Sequence, residues 1–187
     1  MPKTKANNRA RLLYAAEKTT YRYGFGNTAI ADIAKEARIP LGNVYYYFKT
    51  KDEIGGAIVD LRVSRFRKLL QEFDKAESPV ERLCAFVDIK IKNREDLARS
   101  GCPVGGLCTE LQKHGGPLAK KSQVLFATAL AWMKAQFEAL GKGAESRGLA
   151  VHLLSATQGV SVLAHTFHDP DLITLEAERL KSWLRSL

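Results

Sequence analysis

The chain has 187 residues, 45% of them hydrophobic and 26% charged, with a formal net charge of +9. That length gives one good core with room for a small satellite domain, no apolar run approaches the roughly 18 residues of a membrane span, and three cysteines, an odd number, argue against a disulfide framework. The basic opening MPKTKANNRAR has no apolar stretch behind it, so it does not read as a secretory signal; the expected location is cytoplasmic, with no membrane partner.

Helical signals fill the chain and strand signals are nearly absent. From about Asn7 to Tyr23, apolar or small residues fall on one helical stripe at Leu12, Ala16, Thr19/Thr20 and Tyr23. Gly24 and Gly26 break it. Thr28 precedes a second, short stripe of Ile30, Ile33, Ala34 and Ala37 and is its expected N-cap, with Asp32 near the positive helix end. Pro40 suits the first turn of a third helix that runs to about Phe48. Thr50-Lys51-Asp52-Glu53 has the form of a capping box and opens a long fourth helix. Ser78 and Glu81 form a second such box for a helix ending near Ser100. Pro103 opens the next helix. Further helices are expected from Pro117 to Leu140, over 145–167, and from Asp169-Pro170 to about Leu187. The chain therefore reads as all-α, with about nine helices.

The positive charge is concentrated at one end. Residues 1–52 hold ten Lys or Arg against four Asp or Glu, and the remainder hold nineteen against sixteen. Such a small basic module is the electrostatic footprint of phosphate binding. Two short helices after a longer one make a helix-turn-helix. In IPLGNVYYYFKTKDEI, Val44 and Phe48 stand four apart and are expected to face inward. The other side of the helix presents Leu41, Gly42, Asn43, Tyr45, Tyr46 and Tyr47 to the major groove of duplex DNA. Tyr47 is expected to be mostly exposed, and Tyr45 or Tyr46 to be partly packed. Gly42 admits close approach of the backbone, Lys49 and Lys51 supply charge to phosphates, and the Asn43 amide can pair bidentately with adenine.

The pattern G-F…T-x-x-x-D-I-A…G-x-x-Y-x-Y-F-x-x-K, over about residues 8–55, is similar to the DNA-binding domain of the TetR/AcrR transcriptional regulators. The resemblance implies DNA contacts at Thr28, Leu41, Gly42, Asn43, Tyr45, Tyr46, Tyr47 and Lys51. It implies a DNA-binding domain over 1–52 and a helical domain over 53–187 that binds a small molecule and pairs with a second copy through its last two helices. The implied function is a ligand-responsive regulator, a repressor that holds a palindromic operator as a homodimer. The sequence departs from the family pattern at Thr19-Thr20 (usually Leu-Phe), Ala31 (often Arg), Arg38 (usually Gly) and Pro40 (usually Ser).

In the second domain, GCPVGGLCTELQKHGG resembles a segment that one TetR subgroup carries near its pocket. Glycines at 105 and 106 inside a helix cost about 1 kcal/mol each against alanine, so close approach of another group is expected there. Cys102 is placed at the helix N-cap, where a thiol becomes more nucleophilic. Cys102, Cys108, Phe86, Phe126 and Trp132 are the pocket or sensing candidates, and thiol-based sensing of electrophiles or oxidants is the alternative function. A non-specific DNA-binding protein is a weaker alternative, because the charge is too concentrated in one module. The even spacing of Cys102, Cys108 and His114 is not that of a zinc site, and neither a metal nor a cofactor is expected. No catalytic motif stands in a supporting context, so the chain does not read as an enzyme.

Overall fold

The computed structural model describes residues 2–187, and their side chains from Asn7 onward. Among the described residues ten α-helices follow one another: α1 Pro2–Tyr23, α2 Ile30–Ala37, α3 Leu41–Tyr47, α4 Lys51–Phe73, α5 Pro79–Lys92, α6 Arg94–Ser100, α7 Pro103–His114, α8 Gly116–Ala139, α9 Ser146–Phe167 and α10 Asp171–Arg185. There is no strand among the described residues. The all-α class stands, and one expected helix is two. Asn93 divides it: both its backbone N–H and its side-chain amide (2.8 Å) donate to the Ile89 carbonyl, ending α5 before α6 begins.

The chain forms two compact units, residues 1–63 with 106–123, and residues 64–105 with 124–187. The first reaches past residue 52 because Ile54, Ile58 and Val59 of α4 are buried with Leu12, Ala16, Ile33, Val44 and Phe48. Arg62, also buried, pairs with Glu17 of α1 at 3.4 Å. Segment 106–123 is a helical corner turned at Gly115 and Gly116, with φ of +73° and +78°. Inside the corner the Gln112 amide donates to the Ala119 carbonyl (2.7 Å), and the Cys108 thiol donates to that of Ser122 (3.5 Å).

The second unit is built around Leu83, Val87, Met133, Phe137, Leu153 and Leu184, with a smaller cluster of Leu97, Ala98, Val160, Ala164 and Ile173. Ser78 caps α5 through the full reciprocal box: its hydroxyl accepts from Glu81 N at 3.2 Å and its N–H meets the Glu81 carboxylate at 3.4 Å. At Thr50 the box is altered. The hydroxyl accepts from Glu53 N (3.1 Å), but the Glu53 carboxylate takes the N–H of Lys49 (2.7 Å).

Candidate nucleic-acid interface

The first unit holds α2 and α3 as the two arms of a helix-turn-helix. The turn between them passes through Arg38, at φ 53° and ψ 47°, with Ile39 N–H donating to the Ala34 carbonyl at 3.0 Å. A left-handed residue here is usually glycine; an arginine pays about 1 kcal/mol or more for it. Thr28 does not cap α2. Its side chain is 2% exposed and its hydroxyl donates to the Gly24 carbonyl at 2.7 Å, while Ala29 occupies the cap position and donates its N–H to the Asp32 carboxylate at 2.9 Å. The Gly24 turn brings a free carbonyl within reach of the hydroxyl, and that pulls Thr28 inward. Lys18 and Glu36 tie α1 to α2 at 2.6 Å, and the ammonium holds the Glu36 carboxyl below its ordinary value.

On α3, Val44 and Phe48 are buried and Leu41, Tyr45 and Tyr46 are exposed, by 44, 45 and 61%. Gly42 and Asn43 are also exposed. Tyr47 reverses its expectation: it is the half-buried tyrosine of the three. It lies three residues after Val44 and so shares the inward side of the helix. There it forms a wall of a groove of about 600 Å³ with Phe48, Gly56, Pro117 and Leu118. Its ring stacks edge-on against Tyr46, with centroids 5.0 Å apart.

Of the two lysines, Lys49 is exposed and its ammonium donates to the Tyr45 carbonyl at 2.7 Å. Lys51 is half-buried. Its ammonium donates to the Gly26 carbonyl at 3.0 Å and sits 4.8 Å from the centre of the Phe25 ring. A convex helix face of small, amide and phenol groups, flanked by ammonium groups at the start of another helix, suits a groove of DNA with phosphates at its rim.

Residues 12–58 match the family model for bacterial regulatory proteins of the tetR family. Over these residues the chain is similar to the TetR family of transcriptional regulators. The matched residues contain the helix-turn-helix of α2 and α3. A relative named as an HTH-type transcriptional regulator in the lacX 3' region of Lactococcus lactis is 32% identical over 124 residues, 65% of this chain and 63% of the relative, so the match spans less than two thirds of that protein. The fold is that of a TetR regulator from Chloroflexus aurantiacus, with a TM-score of 0.86 at 18% identity over 99% of this chain and 97% of the other. The reduced form of Escherichia coli NemR has the same fold, with a TM-score of 0.81 at 18% identity over 94% and 96% of the two chains.

The remaining candidate residues are divided between the units. Phe86, Phe126 and Trp132 belong to the second core, where Phe86 and Trp132 stack at 6.4 Å and the Trp132 indole donates to Asp74 at 2.9 Å. Cys108 is buried in the first unit. Cys102 is half-buried in the second and occupies the N-cap of α7: its sulfur accepts the Gly105 N–H at 3.4 Å and lies 4.0 Å from the Lys90 ammonium. A Cβ on Gly105 would fall 2.7 Å from the Gln158 amide oxygen, the close approach expected there; Gly106 faces open space. Burial pushes the thiol of the third cysteine, Cys84, above its ordinary value. His165 and His168 both direct Nδ1 at the Ala98 carbonyl, at 3.2 and 3.4 Å. No group of three or more metal-ligating side chains occurs among the described residues, and no helix there is long and apolar enough to cross a membrane.

Proposed function

We propose that the protein is a ligand-responsive repressor that holds a palindromic operator as a homodimer and releases it when a small-molecule inducer binds. Residues 1–52 make the DNA contacts, and residues 53–187 take the inducer and the second copy. The outward row of α3 carries this assignment: Leu41, Gly42, Asn43, Tyr45 and Tyr46 are exposed together although four of them are apolar or aromatic. In this assignment Asn43 reads a base edge, the phenols of Tyr45, Tyr46 and Tyr47 and the ammonium of Lys49 fix the register on phosphates, and Lys51 reaches a phosphate with the N–H groups its Gly26 bond leaves over. Thr28 acts from beneath, by fixing the start of α2. The test is a duplex selected in vitro with the wild-type protein. Tyr46→Ala should weaken binding to all duplexes about tenfold and leave the salt dependence unchanged, whereas Asn43→Ala should cost about 1–3 kcal/mol and relax preference at one position of each half-site. Unchanged gel-shift affinity in both variants would place the DNA elsewhere.

A second reading is favoured by one observation, the position of the Cys102 sulfur between the Gly105 N–H and the Lys90 ammonium. Both groups are hydrogen-bond donors aimed at the sulfur. The inducer would then be an electrophile or oxidant that modifies Cys102, and the likeness to a regulator crystallised in a reduced form is in keeping with it. Mass spectrometry after electrophile exposure should find the adduct on Cys102 and not on the buried Cys84, and Cys102→Ser should stay on the operator. An unmodified Cys102 with normal release leaves the non-covalent inducer as the answer.

A further inference from the structure

The "TEL" end of the GCPVGGLCTEL segment has no role in DNA contact or in the thiol reading, yet its glutamate reaches the DNA-binding module. Glu110, on α7 within the 106–123 corner, accepts the backbone N–H of Gly26 at 2.9 Å. It also fills the space beside Gly24, where a Cβ would stand 2.9 Å from one carboxylate oxygen and 3.1 Å from the other. Gly24 has a φ of +87°, a backbone shape that favours glycine. The turn that Glu110 touches joins α1 to α2 and is held on its other sides as well. The Lys51 ammonium takes the Gly26 carbonyl at 3.0 Å, the Thr28 hydroxyl takes the Gly24 carbonyl at 2.7 Å, and Phe25 is buried against Gly55 of α4. Gly26 is thus gripped by a carboxylate at its N–H and an ammonium at its carbonyl, and bonds to ionised groups are the stronger kind.

We propose that Glu110 is a positioning residue for DNA binding: by anchoring Gly26 it sets where α2 begins, and through α2 and Lys51 it sets α3 and the start of α4 as one surface. Resting on the DNA-binding reading, the proposal makes the carboxylate of a helix outside the helix-turn-helix a requirement for operator affinity. Glu110→Met keeps length and helix preference but cannot accept the bond, while Glu110→Gln can still accept it through its amide oxygen. Binding is measured with full-length protein on the duplex selected by wild type, and amide hydrogen exchange is followed at Gly26 without DNA. E110M should bind about tenfold more weakly and exchange Gly26 about tenfold faster, and E110Q should stay within about threefold of wild type in both. Wild-type affinity in E110M, unchanged exchange in E110M, or an equal loss in E110Q would each overturn the proposal. Failure of the wild type to select any duplex would instead overturn the DNA-binding reading, and the exchange data would still report on the anchor.

Discussion

Gly42 stands in the first turn of α3, and no atom lies within 4 Å of where its Cβ would be. The fold does not require glycine there, and a helix disfavours it by about 0.5–1 kcal/mol against alanine. In the proposed interface a glycine at this position admits close approach of the duplex. Gly42→Ala should therefore raise the unfolding free energy by about 0.5 kcal/mol while lowering operator affinity; thermal unfolding and gel shift on the same sample check the opposite signs, and a gain in both would remove Gly42 from the interface. The tyrosines mark the limit of what single positions tell. Val44 and Phe48 were legible as inward because they stand four apart. Tyr47 was not, since hydroxyl and ring give no preference between groove and core, and the groove that half-buries it includes Pro117 and Leu118 from far along the sequence.

At the scale of elements, local chemistry wrote most of the helix ends. The Ser78 box and the caps at Thr50 and Cys102 stand where the sequence placed them. The misplaced ends share one cause: a polar side chain found a backbone carbonyl that the pattern could not reveal. The Thr28 hydroxyl took that of Gly24, and the Asn93 amide took that of Ile89 and cut a helix in two. The 106–123 corner was legible as helix–glycines–helix, but its membership of the first unit was not. That depends on the Gly26–Glu110 bond and on the Lys121–Asp60 ion pair at 2.6 Å, each joining residues more than fifty positions apart.

For the whole molecule, the apolar surface of the last long helices separates into two sets. Leu153, Leu154 and Val160 are core residues, whereas Val162, Leu163 and Phe167 are exposed by 64, 50 and 67%, and Leu175 of α10 by 59%. Exposed apolar residues of this kind suit a protein interface, and the palindromic operator proposed above calls for two copies. Replacing Leu163 and Phe167 by glutamate should leave the helical content unchanged, turn a dimer into a monomer in sedimentation, and reduce operator affinity to that of one half-site. A wild-type protein that sediments as a monomer at micromolar concentration would sink the dimer. The division into units has one further consequence. All six tyrosines, Tyr14, Tyr21, Tyr23 and Tyr45 to Tyr47, lie in the first unit, and both tryptophans, Trp132 and Trp183, lie in the second. The two halves of the molecule are spectrally labelled as they stand: indole emission excited at the red edge follows the second unit alone, phenol absorbance follows the first, and each can be watched through unfolding or titration without adding a dye.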